Sequence, residues 1–177
     1  MRKIAELAGA ALAWRQPSMS AEYELLAGGE LAATLRFRSA WGSLATAESA
    51  DGCWTFKRVG FWQTRVTVRR CEADEDIAEY KHNTWSGGGT LTLAGGREYQ
   101  ASTNLWQTEM TIAAGGEPLL RYRNDGVLRL SGGMEILPDA ARLPELPWMA
   151  MFGWYLVVMM YRDAGTVAAT TVATIGS

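Results

Sequence analysis

Two short stretches carry arginines at a spacing that suggests chemistry. Arg36 and Arg38 flank Phe37, and Arg121 and Arg123 flank Tyr122. Alternate side chains of an extended strand share a face, so each pair projects outward while the aromatic between turns in. Guanidinium groups fork onto phosphate oxygens, and two such pairs side by side would hold an anionic group. These four arginines are the candidate ligand-binding residues. The plainer reading is that they keep the strands soluble and pair with acidic neighbours.

Other chemistry has little apparatus. The single histidine, His82, stands beside Lys81 and Asn83 at a predicted strand end and reads as a surface residue rather than a general base. There is no GxSxG, HExxH, CxxC or Walker loop, and Gly87-Gly88-Gly89 has no lysine after it. The run EADED at 72–76 lacks the ligand spacing of a calcium loop and reads as a solvated connection. Neither a catalytic residue nor a metal site nor a cofactor is expected. Gly52-Cys53-Trp54 matches the GxW of lipocalins, whose barrels carry apolar ligands. A carrier of a small apolar ligand is therefore the alternative function, although the triplet lies far from the N-terminus where lipocalins place it.

These residues need elements to position them, and composition bounds the choice. With 177 residues, 48% hydrophobic and 20% charged, the chain suits one domain, 1–177, with a sizeable core. A net charge of -2 gives no global field for nucleic acid, so no nucleic-acid partner is expected. Cys53 and Cys71 fit neither a disulfide scaffold nor a zinc site and are read as reduced thiols of a cytoplasmic protein. MRKIAELAGAALAW resembles a signal peptide until Glu6 interrupts it. Helical spacing of Ile4, Leu7, Ala8, Ala11 and Trp14 favours a short N-terminal helix over 2–14.

From 22 to 137 the text alternates with period two, as in Arg65-Val66-Thr67-Val68-Arg69, and glycine pairs punctuate it. Strands are predicted at 22–27, 30–38, 42–49, 52–58, 62–69, 75–82, 89–94, 97–102, 105–112, 117–123, 127–131 and 134–137, about twelve in an antiparallel meander. The chain also matches itself. WQTRVTV at 62–68 returns as WQTEMTI at 106–112, and LTLAGGREY at 91–99 as LRLSGGMEI at 128–136, which suggests one hairpin module reused. Chance self-matching in a hairpin protein rich in Trp, Thr and Gly is the plainer alternative.

LPWMAMFGWYLVVMMY, 146–161, is uncharged. It is shorter than the roughly 20 residues that span a bilayer, so no transmembrane segment is expected. Pro144 and Pro147 suit its start, and Arg162 and Gly165 its end. A helix apolar all round must be enclosed on every side. A closed barrel does this and also removes the strand edges. The predicted fold is mainly β, a closed antiparallel barrel of about twelve strands around the hydrophobic C-terminal helix, with the short N-terminal helix. The YELL strand at 23–26, the hairpins from 30 to 137 and the helix at 146–161 resemble the layout of the tubby C-terminal-like superfamily, which includes LURP-one-related proteins and phospholipid scramblases. The tail, 163–177, continues past that layout, and a further strand is one expectation for it. The resemblance implies a non-enzymatic barrel that recognises an anionic ligand such as a phospholipid head group through basic side chains on its exterior, or a protein partner. It assigns no residue role and leaves the oligomeric state open.

Overall fold

Glycine pairs bend this chain back on itself, and the strands between them pair in chain order. The computed structural model describes residues 1–60, 64–83, 87–126 and 129–175, with backbone alone for 166–175. The strands are β1 (Leu12–Arg15), β2 (Glu22–Ala27), β3 (Glu30–Phe37), β4 (Ala45–Ser49), β5 (Gly52–Val59) and β6 (Arg65–Arg70), then β7 (Asp76–Asn83), β8 (Gly88–Leu93), β9 (Glu98–Thr103), β10 (Glu109–Ala114), β11 (Glu117–Asn124) and β12 (Gly132–Ile136). Each is antiparallel to its neighbours, and β1 fills the gap between β12 and β2, closing a barrel of twelve strands. At Gly28-Gly29 and Gly115-Gly116 both residues of each pair have positive φ, between 57° and 90°. Two-residue hairpins need this, because only such turns match the twist of the flanking strands.

Period two sorts the side chains. Tyr23 and Leu25, Trp54 and Phe56, and Met110 and Ile112 are buried, whereas the residue between each pair is partly exposed. The buried face surrounds α1 (Leu146–Ile175). From Leu146 to Met159 every residue except Pro147 is buried. Rings fill the space between helix and wall: Trp154 stacks on Trp14 and Tyr155 on Phe37, both at 5.5 Å, and Phe152 meets Phe56 edge-on at 5.4 Å. Alanines leave room for them, since Ala45 and Ala47 of β4 lie opposite Phe56 and Trp54. One glycine is required inside the helix. A Cβ at Gly153 would lie 2.3 Å from the Tyr122 ring, whose hydroxyl donates to the Ala150 carbonyl at 3.0 Å.

Both ends of the buried helix are tied to the wall. At its start the buried carboxylate of Glu145 accepts hydrogen bonds from Arg97 and Tyr99, a favourable place for negative charge beside a helix N-terminus. At the far end Arg58 donates two bonds to Asp163, at 2.7 and 3.1 Å. Arg162 lies 3.9 Å over the Phe37 ring and donates to the Gly42 carbonyl, and the Tyr155 hydroxyl donates to the Ser43 carbonyl.

Several expectations are corrected. The N-terminal helix over 2–14 is absent: Ile4–Leu7 form one 3-10 turn, with Ile4 and Leu7 buried, and Leu12–Arg15 form β1. Leu12 and Trp14 serve period two as well as period 3.6, and the open place between β12 and β2 selects the strand. In 127–131, Arg129–Ser131 are not strand, while Val127 and Leu128 lie outside the described residues. Trp62 and Gln63 of the expected 62–69 strand also lie outside them. Gly132-Gly133 opens β12 rather than making a turn, because a Cβ at Gly132 would lie 1.7 Å from the Arg123 carbonyl oxygen. The second self-match is therefore not structural. The helix does not stop at 161. Arg162 reaches sideways to Phe37 and Gly42 instead of closing a last turn, and the expected tail strand is helix to Ile175.

Cys53 and Cys71 are not reduced thiols but a disulfide. They face each other across the β5–β6 hairpin with Cα atoms 5.4 Å apart, a pairing that a spacing of 18 conceals. Disulfides are rare in the cytosol of most organisms, so the argument from free thiols to a cytoplasmic home falls.

Two outcomes follow from these contacts. Gly153→Ala will lower stability by about 1–3 kcal/mol through overpacking against Tyr122, read as a shift in urea midpoint at unchanged slope. Reducing the disulfide will cost about 3 kcal/mol by releasing loop entropy in the unfolded chain, measured by the same titration with and without dithiothreitol.

Candidate functional site

The helix α1 is held between two opposite walls of the barrel. It comes nearest to β3, β4 and β5 on one side and β10 and β11 on another. Along β6 to β9 a cleft of about 720 Å³ opens at the end where the helix leaves the barrel. Strand parity makes the cleft amphipathic. Arg58 continues the inward series of Trp54 and Phe56, and His82 that of Ala78 and Tyr80, so both reach the mouth from the inner face. Below them, Val66, Tyr80, Met110, Leu156 and Met159 form an apolar floor.

The charge at this mouth is positive on balance. Arg58 is matched by Asp163, but Arg65 and Lys81 share one carboxylate, that of Glu79, at 3.2 and 3.1 Å. Arg65 and Lys81 pair across β6 and β7, so both cations stand at one point of the rim, on the outer face that Glu79 shares. Tyr80 lies over Gly89, where a Cβ would come within 2.5 Å of its ring. Burial pushes the Tyr80 phenol up to about 12, so at neutral pH it is an uncharged donor and no base. Among the described residues no cluster of three or more His, Cys, Asp or Glu could hold a metal ion.

The structure does not bring the two arginine pairs together. Arg36 on β3 binds Glu22 at 2.7 Å and lies 3.7 Å from Glu48, and Arg38 is exposed just beyond the strand. Arg121 pairs with Glu135 at 3.3 Å and Arg123 with Asp125 at 2.9 Å. β2, β1 and β12 intervene between β3 and β11, a separation of about 19 Å along the sheet at the usual strand spacing. A shallower outer-face cleft of about 420 Å³ includes Arg121 and Arg123, but Glu109 and Glu135 line it too. The residues sequence reasoning missed are Arg58, Arg65, Lys81 and His82. One signal was available: Arg58 sits in phase with Trp54 and Phe56, and a charge on a buried face marks a mouth or a site.

The barrel is also polarised from end to end. Take each connection with the two strand residues on either side, and the chain termini with the end they join. The mouth end then holds eight arginines, Arg15, Arg36, Arg58, Arg65 and Arg123 on strands and Arg38, Arg129 and Arg162 beyond them, against Glu22, Glu109, Asp125 and Asp163. The opposite end holds six basic and thirteen acidic residues, among them Glu72, Asp74, Glu75 and Asp76. On the outer wall, charged pairs such as Arg15–Glu24 and Arg65–Glu79 ring the barrel. This is opposite to the apolar band of a membrane-spanning barrel. Among the described residues no helix is long and apolar enough to cross a membrane.

No protein family, curated protein or solved structure matches the chain.

The raised pKa of Tyr80 has a stability consequence. Between about pH 10 and 12 the unfolded chain loses this proton while the folded one keeps it, so stability falls as pH rises through that window. The share of Tyr80 is about 2–3 kcal/mol. Burial raises Tyr122 and Tyr155 in the same direction. Urea midpoints from pH 8 upward will show the loss, and Tyr80→Phe will reduce it.

Proposed function

We propose that this chain is a tubby-like, non-enzymatic binding barrel that takes the head group of an anionic lipid or amphiphile in the cleft at its mouth. The observation that carries this reading is the layering of the cleft, with Arg58 and His82 reaching the opening from the inner face, Arg65 and Lys81 on the outer side of its rim, and Val66, Met110, Leu156 and Met159 beneath. A phosphate or carboxylate would sit against Arg58 and His82, and the first methylenes of its chain would lie on the apolar floor. Sites of about 300–1,000 Å³ lined by apolar groups with a few convergent polar ones are typical of small-ligand binding.

A lipocalin-like carrier needs a hollow interior, and here α1 occupies that space with buried rings. Of the surface arginines Arg36, Arg38, Arg121 and Arg123, the three at the mouth end, Arg36, Arg38 and Arg123, then act at a distance, drawing anions toward it rather than gripping one between them.

Dodecyl phosphate below its micellar concentration tests the reading by isothermal titration. Saturable binding is expected, with little binding of dodecyl maltoside and weaker binding of inorganic phosphate. Arg58→Gln with His82→Gln will weaken it by about tenfold, a loss near 1.4 kcal/mol. Equal affinity for the neutral and anionic amphiphiles, or no effect of the double substitution, would contradict it.

A further inference from the structure

The two ends of the barrel are built differently. At the end opposite the mouth, hairpins close in tight glycine turns such as Gly28-Gly29 and Gly115-Gly116. At the mouth the described connections are longer, and three carry large apolar side chains held out in water. Met19 is 79% exposed in the β1–β2 connection, Trp41 is 96% exposed in β3–β4, and Leu105 and Trp106 are 98% and 84% exposed in β9–β10. Exposed Tyr161 of α1 joins them as the helix leaves the barrel.

These side chains do not hang from loose loops. The Trp41 loop is fixed by Arg162 and Tyr155, which donate to the carbonyls of Gly42 and Ser43, and by the Gly42 amide donating to the Ser39 hydroxyl. The Leu105-Trp106 tip is closed by the Asn104 side chain, which accepts from the amides of Thr108 and Glu109, and by Gln107 at a φ of 54°. In these two loops the hydrogen bonds hold the apolar tips outward. Beyond Asp163 the rest of α1 contains no charged residue, and its backbone stays helical to Ile175.

We infer that the mouth end docks end-on against an anionic bilayer, with Trp41, Leu105 and Trp106 entering the interface and the arginines of the rim facing phosphate groups. Tryptophan prefers the level of lipid head groups, and basic residues beside it bind anionic leaflets. Protein interfaces centre on a contiguous apolar core, whereas these tips are single points on separate loops with arginines between them. Charge also sets the orientation. The acid-rich far end is repelled by the surface that attracts the rim, so the barrel axis stands along the membrane normal and the cleft opens onto the lipids. This deepens the reading of the cleft as a head-group site and rests on it for the ligand.

The full chain is sedimented with vesicles of phosphatidylcholine alone and of equal parts phosphatidylcholine and phosphatidylglycerol. Binding to the anionic vesicles is expected, falling as salt rises, with little binding to the neutral ones. Trp41→Ser with Leu105→Ser and Trp106→Ser will weaken it at least tenfold while melting temperature and dodecyl phosphate affinity stay at wild-type values. Arg38→Glu with Arg129→Glu, which leaves the tips untouched, will weaken it by roughly tenfold through charge alone. Equal binding to both vesicle types, or wild-type binding by the triple variant, overturns the docking. So does a concentration-dependent dimer that the triple substitution abolishes. A wild-type chain that binds dodecyl phosphate but not anionic vesicles strikes the docking alone, and one that binds the vesicles but not dodecyl phosphate strikes the cleft alone.

Discussion

An α-helix without a polar stripe has to be enclosed, and the rest of this molecule follows from enclosing one. Trp148 to Met159 present apolar side chains in every direction. Burying a large apolar side chain contributes about 1.5–3 kcal/mol, so leaving any face of this helix wet would forfeit several such contributions. Twelve antiparallel strands satisfy the helix from all sides and one another along their edges. The ties at its ends, Glu145 to Arg97 and Tyr99 and then Arg58 to Asp163, set how far it slides along the axis.

Enclosure also explains where the cleft is. The wall meets the helix closely where alanines permit it, at Ala45 and Ala47 on β4, and where Gly153 admits Tyr122 of β11. Between these two walls the strands from β6 to β9 line the cleft, which opens where α1 emerges. One end of the barrel is thus sealed by tight turns and the 3-10 turn bearing Ile4 and Leu7, while the other carries the opening, the longer connections and the positive charge. A helix gripped by two opposite walls, with a gap between them at the end where it emerges, gives the molecule a front and a back.

Much of the fold was legible because its signals were redundant. β2 was expected at 22–27 and lies at Glu22–Ala27, since alternation and a flanking glycine pair agree there. Where one sequence served two patterns, context decided. Leu12 and Trp14 fit a helix, yet only a strand closes the sheet between β12 and β2. Gly132-Gly133 looks like a turn, yet the close approach of β11 uses the missing side chains. Arg162 and Gly165 look like a helix end, yet Phe37 and Gly42, more than a hundred residues away, engage Arg162 first. The disulfide was hidden for the same reason, since hairpin register is not visible in a spacing. The mouth was the least legible part, because its cations come from β5, β6 and β7 and meet only once the barrel has closed.

The central claim is that the barrel is organised around an enclosed helix, and amide hydrogen exchange tests it most directly. Residues reached only by global opening exchange at the rate set by the full unfolding free energy. The account predicts that amides from Trp148 to Val158 fall in this slowest class together with those of β3, β5 and β11, and slow together when stability rises. Exchange of the helix through a lower-energy opening, with the strands still protected, would show that the barrel stands without its helix and would contradict the account.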